Sequence, residues 1–217
     1  MQEKTKFVLY TYWRSSCSWR VRTILNLKRL DYEQVPIDLV KGEQRGPEYL
    51  KINPYGFVPS LKLEDGTIIN ESMAIAEYIE ERYPDVEPRL LPKDLKARAN
   101  VRILCNFVSA NMQALQNLKV AKHVVSKYNG DRAEWSAYWN DEGFKLINNM
   151  LERTMGKHAV GDDITLADVL IMIQFRNAVQ RFKLDENDYP NVKKVYDAVK
   201  EHPDFVKAYP ENQPDAS

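Results

Sequence analysis

Cysteine is scarce: the 217 residues hold two, Cys17 and Cys105, far apart in the chain. That excludes a disulfide framework and suits a reduced compartment. Net charge is missing as well, because 31 Lys and Arg residues balance 31 Asp and Glu residues, and no overall field draws the chain toward nucleic acid or an anionic membrane. Long apolar runs are absent too. The longest aliphatic stretch spans 169–173, far short of the roughly 20 residues a membrane-spanning helix needs. The charged start MQEKTK runs straight into a strand-like segment, without the apolar h-region of a secretory signal, so the expected location is the cytoplasm. The three histidines, His123, His158 and His202, stand alone without a partner at ligand spacing, and no metal site is expected.

What is present is a globular composition, 44% apolar and 29% charged. The first third alternates periods: strand-like FVLYTY (7–12), a helical run over 18–30, and strand-like YEQVPID (32–38), which together read as a β-α-β unit. A polar stretch (41–48) follows, then strands over 60–63 and 67–69 joined by Glu64-Asp65-Gly66, and a helix over about 72–83. This order is thioredoxin-like. The proline-rich PDVEPRLLP (84–92) breaks the pattern, so the expected organisation is a first domain over 1–84, a linker over 85–92 and an all-helical domain over 93–217. In that second domain the apolar positions Leu95, Ala99, Ile103 and Phe107 have helical spacing. In DDITLADVLIMI, Thr165 and Asp168 have the spacing of a capping box, with Ile164 and Val169 at its staple positions.

Three short stretches could carry chemistry. In YWRSSCSWRVR, Ser16 as a helix cap would put Cys17 in the first turn and Ser15 just outside, where backbone N–H groups stabilise anions and thiolates. Arg14 and Arg20 add positive charge. Either Cys17 is a nucleophile or the stretch is a serine-rich cap with an incidental cysteine; Arg20 stands where a redox Cys-x-x-Cys motif needs its second cysteine. In GFVPSL, a cis Pro59 would leave the backbone of Val58 free to pair with an extended peptide, although proline also simply starts edge strands. In NESMAIAEYI, Ser72 at a helix start suits a carboxylate and Glu71 an ammonium, or the pair is an ordinary cap with a solvated acid. Taken together, the three fit a small peptide with a free γ-glutamyl end and a thiol.

SSCSWRVR (15–22), NP (53–54), VPSL (58–61), ES (71–72), RLLP (89–92) and GDDITLAD (161–168) resemble the cytosolic glutathione transferases. The form SSCSWRVR, with QALQNL (113–118), QRF (180–182) and QPDA (213–216), is similar to the zeta class. The resemblance implies a thioredoxin-like N-terminal domain followed by an all-helical one, glutathione as cofactor, and a homodimer. It implies that Ser15 donates to the glutathione thiolate with Ser16 and Cys17 close by, and that the backbone of Val58 beside Pro59 pairs with the cysteinyl unit. Glu71, where some members have Gln, would hold the γ-glutamyl end with Ser72. Gln44 would contact the tripeptide, Gln113 and Asn117 would line the site, and Arg14 and Arg181 would take the carboxylates of a dicarboxylic substrate. The implied activity is cis–trans isomerisation of maleylacetoacetate to fumarylacetoacetate in tyrosine and phenylalanine catabolism, with transferase activity on small α-halo acids. The alternative is a thiol transferase or dehydroascorbate reductase using Cys17.

Overall fold

In Phe7–Thr11 every second side chain, Phe7, Leu9 and Thr11, is buried, and this period of two forms the central strand β1. The computed structural model describes residues 7–216, so the charged start MQEKTK lies outside the described residues. β1 runs parallel to β2 (Tyr32–Pro36) and antiparallel to β3 (Ser60–Lys62), which pairs antiparallel with β4 (Ile68–Asn70). The sheet order is β2-β1-β3-β4. Helix α1 (Ser16–Leu27) makes the parallel crossover, α2 (Pro47–Ile52) precedes β3, and α3 (Ser72–Arg82) follows β4. This is the thioredoxin-like order expected from the pattern.

Two local expectations change. Helix α1 starts at Ser16 and stops at Leu27, because Lys28 closes it and Arg29 turns to φ 54°. The polar stretch at 41–48 holds a 3₁₀ turn (Glu43–Arg45) and the start of α2, with Pro47 at the first helical turn, where its missing N–H costs nothing. α2 carries Tyr49 into a small core with Ile37 and Val58.

The segment from His202 onward, with α10 (Pro203–Lys207), groups with the residues up to Glu87, and Pro88–Glu201 forms a separate compact unit. The sequence pattern assigns 202–217 to the helical domain instead. Hydrogen bonds across the chain decide the matter: buried Arg22 donates to Ala208 O (3.3 Å), Asn26 donates to Asp204 O (3.1 Å), and Trp19 meets Tyr209 edge to face at 5.5 Å. The boundary also moves three residues past the expected one, because Lys28 Nζ donates to Val86 O (2.8 Å).

Lys28 has a second partner, Glu80 on α3, at 2.6 Å, and both side chains are buried. The pair ties the end of α1 to α3. Glu80→Ala leaves the ammonium in the core without its counter-charge and is expected to cost about 3–5 kcal/mol in urea unfolding, while Lys28→Met with Glu80→Leu recovers most of it. A loss below about 1 kcal/mol in the single variant, the range of an exposed pair, would show that water reaches the site.

In the second unit, α4 (Leu95–Asn106) passes into a π-helical stretch, Phe107–Gln113, then α5 (Ala114–Gln116), α6 (Leu118–Tyr128), α7 (Arg132–Leu151), α8 (Leu166–Phe182) and α9 (Pro190–Val199). On α4, Leu95 and Ile103 are exposed, while Val101, Leu104 and Cys105, with Val108 just beyond, are buried. Phe144, Phe175 and Tyr189 pack ring against ring, with centroids 5.2–6.2 Å apart. At the start of α8, Asp168 accepts from Thr165 N–H and from its hydroxyl, each at 2.8 Å, and its other oxygen accepts from Ala159 N–H at 2.9 Å. The carboxylate is consumed by structure, as the capping-box spacing implied. No helix among the described residues is long and apolar enough to cross a membrane.

Candidate active site

The residue that caps α1 is Ser15, not Ser16. Its backbone is extended (φ −74°, ψ 118°), and its Oγ accepts from Ser18 N–H at 3.2 Å. Ser16 therefore becomes the first helical residue and Cys17 the second. Capping leaves the Ser15 hydroxyl proton available, since a hydroxyl has two acceptor sites besides its O–H. An oxygen that accepts from a helix N-terminus is polarised into a better donor. The N–H of Cys17 lies in the first turn, has no intrahelical acceptor, and makes no hydrogen bond to another described residue. The cysteine thus brings a backbone donor as well as a thiol, and the thiol itself is half-buried and unbridged.

The turn leading into Ser15 is built by Arg22, which is fully buried. Its guanidinium donates to Thr11 Oγ1 (3.0 Å), Tyr12 O (3.3 Å) and Trp13 O (3.1 Å), and Tyr12 O also accepts from Ser15 N–H (3.0 Å). Burial pulls Arg22 down to about 10, against the opposing influence of Tyr32 and Asp215, so it is charged at neutral pH. Burial likewise pushes the Tyr32 phenol up to about 12.

Arg20 joins two of the stretches singled out in the sequence. It is buried on α1, and its guanidinium donates to Ser72 Oγ at 2.7 Å at the start of α3. Two helix N-termini and a buried cation therefore belong to one framework, which favours negative charge. Glu71 is exposed and has φ 68°, a left-handed conformation that is costly for a residue with a Cβ and concentrates at functional sites. The strain at Glu71 and the role of Arg20 escape sequence reasoning. Periodicity reports faces, not partners 52 positions apart.

The Val58-Pro59 bond is cis. Neither the N–H nor the C=O of Val58 makes a hydrogen bond to another described residue. The loop is braced from behind: Tyr49 OH and Asn53 Nδ2 donate to Phe57 O at 2.6 and 2.8 Å, and Tyr49 OH lies 3.0 Å from Ser60 Oγ. The register sets Ser60 opposite Tyr10 on β1 and Asn70 on β4, so the strand after Val58 lies between the strand that leads to Ser15 and the one that leads to Glu71. Gln44 sits in the 3₁₀ turn, where its carbonyl would lie 2.7 Å from a Cβ at position 56; Gly56 (φ 62°) permits that approach. Gln44 and Val58 are thus placed at one loop cluster.

The remaining candidates differ in setting. Arg14 is exposed, with its guanidinium 5.3 Å from the Trp13 ring. In the second unit, Gln113 ends the π-helical stretch, Asn117 caps α6 by accepting from Lys119 N–H (3.0 Å), and exposed Arg181 stacks near Phe182 at 5.7 Å. A buried amide network, in which Gln174 donates to Asn140 Oδ1 (2.8 Å) and Gln116 Oε1 (3.1 Å), holds the helix turn between Gln113 and Asn117.

With this geometry in view, the comparisons with known proteins are consistent. The family model for the glutathione S-transferase N-terminal domain matches residues 14–82, and that for the C-terminal domain matches 115–213. The chain is 43% identical over 216 residues to glutathione S-transferase Z1 of Arabidopsis thaliana, covering 99% of this chain and 96% of that one. It is 43% identical over 212 residues to maleylacetoacetate isomerase of Rattus norvegicus, covering 97% and 95%. The crystal structure of maleylacetoacetate isomerase from Anaeromyxobacter dehalogenans with glutathione bound in its active site superposes with a TM-score of 0.88 at 40% identity, covering 98% of both chains. From the capped serine turn to the helical unit, the chain belongs to the glutathione transferase family, in its zeta class.

Proposed function

We propose that this chain is a glutathione-dependent isomerase that converts maleylacetoacetate to fumarylacetoacetate, with Ser15 as the thiolate donor. The observation that carries the reading is the Ser15 hydroxyl, which caps α1 and keeps its proton to give. The residues present fit the tripeptide. The unpaired backbone of Val58 suits its cysteinyl unit, as an added strand would pair. Ser72 and Glu71 suit the carboxylate and ammonium of its γ-glutamyl end, with Gln44 at the adjoining loop.

Bound glutathione supplies a thiolate that adds to the cis double bond and, after rotation about the resulting single bond, leaves to give the trans product. The chain's part is electrostatic and positional. Ser15 O–H and Cys17 N–H donate to the sulfur, the N-terminal ends of α1 and α3 favour its negative charge, and Arg14 and Arg181 serve the substrate carboxylates through their planar forks. Gln113 and Asn117 line the substrate side, and Ser16 holds the first helical position behind Ser15. The same arrangement supports displacement of halide from small α-halo acids. Class membership extends the proposal to a homodimer in the cytoplasm.

Assays with maleylacetoacetate, with and without glutathione, test the reaction: turnover is expected only with glutathione. Turnover without it would remove the mechanism. Because Cys17 is assigned its amide and not its thiol, Cys17→Ala is expected to keep activity within about fivefold, the range of a lost side-chain contact. If Cys17→Ala abolishes isomerisation while Ser15→Ala spares it, thiol exchange at Cys17 becomes the better account.

A further inference from the structure

We propose that Asp215, in the segment that returns to the first unit, is a positioning residue that aims the Ser15 hydroxyl. This rests on the assignment of Ser15 given above. Asp215 Oδ2 accepts from Trp13 N–H at 3.0 Å, across 202 positions of sequence. On the other side of the same residue, Trp13 O accepts from Arg22 at 3.1 Å. Trp13 is therefore clamped through both of its peptide groups, and Tyr12 O, also held by Arg22, takes the N–H of Ser15. These bonds fix the turn from Tyr12 to Ser15. A turn so short leaves the direction of the Ser15 Cα–Cβ bond set by the peptides before it.

Asp215 is not the sole tie of its segment: Gln213 braces it internally, donating to Lys207 O (2.9 Å) and Tyr209 O (2.8 Å), and accepts from Gln34 Nε2 (3.3 Å) on β2, while Tyr209 packs on Trp19. The second carboxylate oxygen of Asp215 is enclosed and has no hydrogen-bond partner among the described residues. The only hydrogen bond that Asp215 makes through its side chain to another described residue is the one to the turn. Its negative charge also opposes the effect of burial on Arg22, the other arm of the clamp. A loop amide needing only a partner could take water; here a half-buried carboxylate is supplied from the far end of the chain.

The full-length chain carrying Asp215→Ala or Asp215→Asn is compared with Ser15→Ala for kcat, KM for glutathione, thermal midpoint and the ultraviolet absorbance of the bound thiolate against pH. Asp215→Ala is expected to lower kcat roughly tenfold with KM moved by about twofold or less, and to raise the pH at which the bound thiolate forms. Asp215→Asn, whose amide oxygen still accepts from Trp13 N–H, is expected to recover most of that loss. Equal kcat losses in the two variants, or a change in thermal midpoint with kcat and the thiolate titration unmoved, overturns the proposal. If Ser15→Ala keeps its kcat, the assignment of Ser15 itself falls, and this proposal with it. Loss in Ser15→Ala beside an unaffected Asp215→Ala removes only the positioning role.

Discussion

Ser15→Ala is expected to lower kcat for maleylacetoacetate by about 100- to 1,000-fold at pH 7, the loss seen when one preorganised donor is removed from developing or resting negative charge. The direction with pH follows from which protonation state the hydroxyl favours. An O–H donor stabilises the thiolate and so lowers the pH at which bound glutathione ionises. Without it, that ionisation moves up toward the value of a free thiol, about 8.5, and the loss is largest below neutral pH and partly recovered above it. A pH–kcat profile checks this, because a folding defect would lower kcat at every pH alike. Ser15 is also the helix cap, so the variant is expected to lose about 1 kcal/mol of stability as well. Ser15→Gly separates the two effects: glycine is a tolerable cap but donates nothing, and its kcat is expected to fall as far as that of alanine. A glycine variant with near-normal kcat would show that the hydroxyl acts only as a cap.

The second large effect concerns stability. Arg22→Ala removes a buried guanidinium that satisfies Thr11 Oγ1 and three carbonyls, those of Tyr12, Trp13 and Ala208. Tyr12 O keeps the N–H of Ser15, but Thr11 Oγ1, Trp13 O and Ala208 O lose this donor and a cavity opens beside them, for an expected cost of about 3–5 kcal/mol in denaturant unfolding. Arg22→Lys is expected to recover only part of this, since an ammonium on a flexible stem cannot span acceptors that a planar fork reaches at once. A cost under about 1 kcal/mol for alanine would mean that water replaces the guanidinium and that the turn before Ser15 is held by other means. The outcome also bears on catalysis, because the variant loses one arm of the clamp on Trp13.

What the sequence disclosed was local. The thioredoxin-like order was legible because periods change sharply between 7–12 and the helix that follows, and the capping box at Thr165 because both members lie within one turn. Adjacent serines defeated the cap assignment: Ser15 and Ser16 are equivalent by residue type, and only the extended backbone at Ser15 decides between them. On α4 the helical spacing is legible but the buried face is not, because apolar residues line both sides of that helix, with Leu95 and Ile103 on the exposed one. Helix α1 shows the deeper limit. Every residue from Ser18 to Leu27 is buried, including Arg20 and Arg22, so its polar residues are structural where amphipathic reasoning assigns them to solvent. Motifs single out the candidate site residues, but not the wiring between their stretches: the bond from Arg20 to Ser72 crosses 52 positions and the one from Asp215 to Trp13 crosses 202.

The return of the segment after His202 to the first unit also sets an order of events during synthesis. Chains emerge from the ribosome N-terminus first, and domains generally fold as they appear. Here β1, α1 and the serine turn are made at the outset, yet Ala208 and Asp215, which complete the surroundings of Arg22 and Trp13, follow only after the whole of Pro88–Glu201 has been translated. The nascent first unit therefore waits through the making of the second with Arg22 short of its last acceptor, and the turn before Ser15 is finished last although its residues are among the first to be made.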